Sequence, residues 1–278
     1  MIKNRVKIKI LDDLRQRIAH LERPVLDRDN GLEPLTFDIA GIDQRLPQGG
    51  LAPAALHEIV SISPDTVVPA LGFAAALLGR AARRAPVLWC RSGETWGEEL
   101  HAPGLESFGL GPANLIVVDA AKDRELLWAM EEALRSGALA AVLGEIHTLS
   151  TISARRLQLA AETGATLAFL LCGRADARAT TMAMTRWEIG AAASNHPLGP
   201  WPGLARWRVA LQRCRGGSGG NWLVEWQDAN NDESETSRET GGFHLATSLR
   251  DRPLRAAKSV ASNSLAAAPT WLPAGKVG

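Results

Sequence analysis

Residues 49–84 read GGLAPAALHEIVSISPDTVVPALGFAAALLGRAARR. The run predicts an apolar strand over 55–60, a short turn, and a long alanine-rich helix. A strand that turns into a helix N-terminus is the layout that binds nucleotide phosphates. The working pattern, G-x-x-x-x-G-K-[ST], needs each of its parts: glycine amides cradle the phosphates, Lys reaches them, and a hydroxyl holds Mg²⁺. Here the turn is Ser61-Ile62-Ser63-Pro64-Asp65-Thr66-Val67-Val68, with no Gly and no Lys. Asp65 brings a carboxylate to the place where an anion would sit. Ser61, Ser63, Pro64, Asp65 and Thr66 therefore read as a degenerate phosphate loop. No nucleotide cofactor and no ATPase activity are expected.

Other residue patterns raise chemistry and then fail to complete it. His57-Glu58 opens like the zinc motif H-E-x-x-H, but Ser61 stands at the fifth position. The histidines (20, 57, 101, 147, 196 and 244) never fall three or four apart, so no metal site is expected. Cys90 and Cys172 end apolar strands at the sheet edge where α/β proteins bind ligands. No base stands beside them in sequence, and they read as buried, inert thiols. Glu145 follows an apolar run where nucleotide hydrolases often place a magnesium-binding acid. The expected register would put that acid at Gly144, and without a Lys, Glu145 reads as a surface or capping carboxylate. No catalytic residue is expected.

Two patterns point to contacts rather than catalysis. Arg206 and Arg208 share one strand face, as do Arg213 and Arg215, with no acid among them. They fit a single-strand-binding stripe with Trp207 or Trp222 as stacking platforms. They fit better a solvated sheet face whose aromatics belong to the core. Trp271 lies in Pro-Thr-Trp-Leu-Pro, where an exposed ring can anchor to a partner pocket or have no role.

The elements that must position these residues follow from apolar periodicity. Residues 8–23 carry Ile10, Leu11, Leu14, Ile18 and Leu21 at helical spacing, and Pro24 ends the helix. Strands are expected at 55–60, 86–90, 114–119, 140–143 and 166–172, separated by helices. The helix after the third strand is capped by Asp123 and stops at Gly137, and the next ends at Gly164. Apolar runs without polar alternation imply parallel strands covered on both faces. Beyond residue 180 the pattern becomes alternating and half-exposed, at 186–191, 205–212 and 221–226. Residues 216–220, Gly-Gly-Ser-Gly-Gly, form the turn of the last hairpin. Residues 228–242 are polar and acidic, and from 256 onward the chain is Ala/Ser/Pro-rich.

Composition narrows the function classes. A net charge of +1 gives no bulk attraction to nucleic acid, so any such contact must be local. No apolar run reaches the length of a membrane span, and the basic N-terminal stretch lacks a signal-peptide apolar core. A cytoplasmic location without membrane contact is expected. The three cysteines show no paired spacing, which argues against a disulfide frame.

The run Phe37-Asp38-Ile39-Ala40-Gly41-Ile42-Asp43, then Leu46-Pro47-Gln48-Gly49-Gly50-Leu51 and His57-Glu58-Ile59, resembles the approach to the phosphate loop of the RecA core. Residues 105–143 are similar to the same core's third strand, helix and fourth strand. Combined with the degraded loop, the TRWEI strand and the RCRGG…WLVEW hairpin, these features resemble the ImuA family over about residues 31–227. That family comprises RecA-like accessory proteins of the bacterial damage-induced mutagenesis cassette. The resemblance implies an α/β, RecA-like core, with a mainly parallel five-stranded sheet in the order 3-2-4-5-1 plus C-terminal antiparallel strands. It divides the chain into an N-terminal helical arm (1–30), a degenerate core with its hairpin (31–227) and a polar, largely disordered tail (228–278). RecA's catalytic Glu would fall near Ser92, its magnesium acid near Gly144, and its phosphate-sensing Gln after Cys172-Gly173; none is present.

The implied function is non-catalytic: support of SOS-induced error-prone translesion synthesis through binding of ImuB and contact with RecA. An error-prone polymerase III α-type subunit would be joined indirectly. Leu14, Arg206, Arg208, Arg213, Arg215 and Trp271 are the expected partner or single-stranded DNA contacts. Two alternatives stand beside this reading. One is an active RecA-like ATPase with an unusual site. The other is a cell-division inhibitor resembling SulA, whose chains are shorter and lack the C-terminal extension.

Overall fold

The short apolar runs become the strands of one sheet, and the amphipathic stretches between them become its covering helices. In the computed structural model the described residues are 32–61, 63, 66–92, 100–146, 149–173, 182–194, 203–227 and 241–248. The arm at 1–30 with Leu14, loop positions Pro64 and Asp65, and Trp271 lie outside them.

In chain order the described elements are α1 (Ala40–Asp43), a 3₁₀ turn (Pro47–Gly49), β1 (Leu56–Ser61), α2 (Val67–Ala81) and β2 (Val87–Ser92). Next come α3 (Ala102–Glu106), β3 (Leu115–Ala120), α4 (Asp123–Ser136), β4 (Ala141–Ile146), α5 (Thr151–Gly164) and β5 (Leu167–Cys172). The last four are strands: β6 (Thr185–Ala191), β7 (Arg206–Cys214), β8 (Gly220–Gln227) and β9 (Gly242–Ser248).

The sheet order is β3-β2-β4-β5-β1-β6-β7-β8-β9, which contains the expected 3-2-4-5-1. β6 pairs in parallel with β1, so the parallel part runs one strand further than the five expected. Antiparallel pairing starts between β6 and β7. Residues 242–248, expected within a polar tail, form β9 and pair with β8. Phe243 explains the difference: its ring is 3% exposed and sits between Phe37, Phe73 and Trp226. One apolar anchor gives this short strand a reason to join the core that the polar residues before it conceal.

Helix boundaries follow local chemistry. α4 begins after Lys122 rather than at an Asp123 cap; Asp123 and Glu125 lie in its first turn, where carboxylates meet the positive end of the helix dipole. It stops at Gly137, whose φ of 64° lies in the left-handed region. α5 is capped by Ser150, whose hydroxyl accepts from the Ser153 amide at 3.1 Å. It runs through Gly164 and stops at Ala165 (φ 54°), one residue later than expected. Gly164 is needed for packing: a Cβ there would fall 1.8 Å from the Leu134 carbonyl oxygen of α4.

Two apolar layers hold the sheet. One lies under α2 and includes Trp89, Leu143, Phe169 and Trp187; the other lies under α4 and α5 and includes Leu88, Val142, Leu170 and Met130. No helix among the described residues is long and apolar enough to cross a membrane.

Candidate functional site at the carboxyl ends of the parallel strands

In an open parallel sheet, ligand sites form beyond the carboxyl ends of the strands. Here β1 delivers the degenerate loop. Ser61, its last residue, is 2% exposed, and its hydroxyl has no hydrogen-bond partner among the described residues. Thr66 precedes α2 and turns back on Ser63: its hydroxyl donates to the Ser63 carbonyl at 2.8 Å and accepts the Ser63 amide at 2.9 Å. The Thr66 amide also donates to the Ser63 carbonyl at 2.9 Å. The hydroxyl that would face a magnesium ion in a working loop is thus consumed in a local turn.

β2 and β4 bring the main polar cluster together, and here the expectation for Glu145 is corrected. Glu145 lies inside β4, not after it, and is 1% exposed. The Trp89 indole donates to Glu145 Oε1 at 2.6 Å, and Arg91 Nε stands 3.4 Å from the same oxygen. Trp89 and Arg91 are two apart on β2, so the pleat points both toward the α2 side, where Glu145 also projects. Arg91 reaches toward the exposed Asp119 of β3 at 3.9 Å. Burial pushes the Glu145 carboxyl above its ordinary value, while the Trp89 hydrogen bond and the Arg91 charge oppose the rise. A Mg²⁺ site wants several free oxygens and no competing cation. This carboxylate faces a guanidinium instead. Gly144 concealed the placement, because it interrupts the apolar run and makes the strand look finished at Leu143.

The other candidates resolve simply. His57 is fully buried; its ring meets Thr185 Oγ1 at 2.7 Å and the Ala52 carbonyl at 2.9 Å. A carbonyl only accepts, so Nε2 carries the proton, and Nδ1 accepts from Thr185, which in turn accepts from the Trp187 indole at 2.8 Å. Burial lowers the imidazole to about 4, so it is a neutral structural link. Burial pushes both Cys90 and Cys172 up to about 12, which fits inert thiols. On the opposite sheet face, buried Arg186 and Glu58 approach to 3.8 Å near Cys172. Among the described residues no cluster of His, Cys, Asp or Glu could hold a metal.

The arginines of the hairpin do not form one uniform stripe. Arg206 pairs with Glu225 on the neighbouring strand and donates to the Ala193 carbonyl at 3.2 Å. Arg208 is exposed, whereas Arg213 and Arg215 are half-buried. Glu225 is distant in sequence from Arg206 and becomes its direct neighbour only through the β7–β8 register. The stacking-platform reading is corrected: Trp207 and Trp222 are 3% and 5% exposed and belong to the aromatic core. Alternation along β7 explains this, because the face opposite the arginines is the one that α2 covers.

No protein-family model matches the chain. Protein ImuA from two strains of Caulobacter vibrioides is 31% identical over 243 residues, spanning 81% of this chain and 93% of the relative. A solved structure of SulA from Pseudomonas aeruginosa is 23% identical and covers 44% of this chain and 100% of its own, with a TM-score of 0.37.

Proposed function

Because the chain belongs to the ImuA family, we propose that it serves damage-induced mutagenesis as a non-catalytic accessory protein. It binds ImuB, contacts RecA, and through ImuB joins an error-prone polymerase III α-type subunit in translesion synthesis. The observation that carries the non-catalytic half is the Arg91–Glu145 pair. It sets a cation against the buried carboxylate at the carboxyl end of β4, two strands from β1, whose following turn has no Lys. The partner half rests on family membership. The β7–β8 hairpin with Arg208, Arg213 and Arg215, together with Leu14 and Trp271, supplies the contacts.

Calorimetry with Mg-ATP at millimolar concentration should give no binding heat, and purified ImuB should bind at micromolar affinity or better. Micromolar ATP binding that a loop substitution abolishes would favour an active ATPase and overturn the first half. Absence of ImuB binding by the intact chain would overturn the second.

A further inference from the structure

Amphipathic helices that cover a sheet normally turn polar side chains to solvent. α4 and α5 depart from this at Trp128, Ile152 and Leu159, which are 64%, 76% and 43% exposed. Clustered apolar exposure of this kind marks an interaction surface. Glu125, Trp128 and Glu132 stand three and seven positions apart, so they share one stripe of α4. Ile152, Arg155 and Leu159 have the same spacing on α5. One stripe is acid–Trp–acid and the other apolar–Arg–apolar, with Glu125, Glu132 and Arg155 all exposed. Glu132 touches the exposed Arg135 at 3.5 Å, a pair worth little in water. Between the helices lies a cleft of about 490 Å³, lined in part by Arg124, Trp128, Ser153 and Arg156.

We infer that a second copy of this chain covers this face, in a closed two-fold pair that sets α4 of each copy on α5 of the other. The stripes are complementary. Trp128 fits the hollow between Ile152 and Leu159, with the Arg155 guanidinium against its ring. Glu125 and Glu132 then flank that arginine, one turn to either side, and acid meets base rather than acid. Both stripes belong to one chain and lie side by side. A single two-fold operation therefore makes the contact twice and closes the assembly at two copies.

The heights of the two stripes also agree. α4 and α5 run in the same direction, because each follows one of the parallel strands β3 and β4. Arg156 meets Glu131 at 2.5 Å, and at the far end Gly164 packs on the Leu134 carbonyl. Trp128 therefore lies level with the stretch between Ser153 and Leu157, across the cleft they share. A two-fold axis parallel to the helices preserves these levels, so Trp128 of one copy meets Arg155 of the other. Each helix has 14 residues, and two such helices present a face of roughly 20 Å by 20 Å. That is the low end for a specific interface, so the pair should be reversible, with a dissociation constant in the micromolar range.

Sedimentation equilibrium of the full chain, from about 1 to about 200 µM, tests the inference. It should show a monomer–dimer equilibrium that stops at two copies. Trp128→Ala and Arg155→Glu should each weaken the dimer about tenfold or more. Both side chains are exposed, so the dilute monomers should keep the parent's thermal midpoint. Adding Glu132→Arg to Arg155→Glu exchanges the charges across the contact and should recover most of the loss. A chain still monomeric at the top of that range would overturn the proposal, as would a dimer indifferent to both single variants. Assembly that continues past two copies would overturn the closed pair. An exchanged variant no tighter than Arg155→Glu would overturn the placement of α4 on α5.

Discussion

Glu145 and His57 are buried polar residues whose partners lie within the core. Removing Arg91 leaves Glu145 beside only an indole donor. Breaking a buried pair by deleting one partner is more costly than deleting both. Arg91→Met should therefore destabilise the fold by about 2 kcal/mol at neutral pH, and adding Glu145→Gln should restore most of it. The sign with pH is fixed by the raised carboxyl. A group whose folded value lies above its unfolded one stabilises at low pH and loses that contribution as pH rises. The Arg91→Met defect should thus grow from pH 4 to pH 8 in denaturant titrations; a defect that shrinks would contradict the pairing. His57 behaves in the opposite sense. Its folded value of about 4 lies below the ordinary 6.5. The folded state binds fewer protons in that window, so His57 contributes stability above pH 6.5 that is lost as pH falls toward 4, amounting to about 3 kcal/mol. Urea midpoints between pH 7 and 4 should fall more steeply in the parent than in His57→Gln. Equal slopes would exclude His57 as the source.

Contacts between elements decide the next scale. α4 and α5 approach closely enough that Gly164 touches the end of α4, with room for a hydrogen and not for a methyl. Gly164→Ala should destabilise by about 1–3 kcal/mol through forced separation of the two helices. This outweighs the usual gain from alanine in a helix. An unchanged thermal midpoint would show that the helices can part freely. β9 makes a second case. Phe243 closes the aromatic group formed by Phe37, Phe73, Trp207 and Trp226. Phe243→Ala should cost about 3–5 kcal/mol. A chain stopped at Asp228 should melt well below the parent, because it loses that ring and uncovers the edge of β8. If the shortened chain keeps its midpoint, β9 is a passive addition to the sheet.

For the whole molecule, charge is the property that bears on partners. A net charge of +1 creates no extended field. Arg206 is paired with Glu225, and the other arginines of the hairpin are the exposed Arg208 and the half-buried Arg213 and Arg215. Three contacts to a single strand give a slope of log affinity against log salt of about −2. Single-stranded DNA binding should be no steeper than this, and Arg208→Glu should make it shallower. A slope of −4 or beyond would locate nucleic-acid binding elsewhere on the chain.

The sequence by itself determined the alternation of strands and helices through the fifth strand and the three strands that follow it, and the resemblance to the RecA core implied the order of the first five strands. It also showed a turn at 61–68 without Gly or Lys and the resemblance to the family, because apolar runs, glycine stops and missing motif residues are local features. Tertiary structure alone decided what the polar residues do. Arg91 and Glu145 lie 54 positions apart and meet only because β2 and β4 are neighbours. Glu225 neutralises Arg206 only through the β7–β8 register. The burial of Trp207, Trp222 and Phe243 depends on which sheet face α2 covers, and that choice is made by the packed assembly, where strands distant in sequence become adjacent.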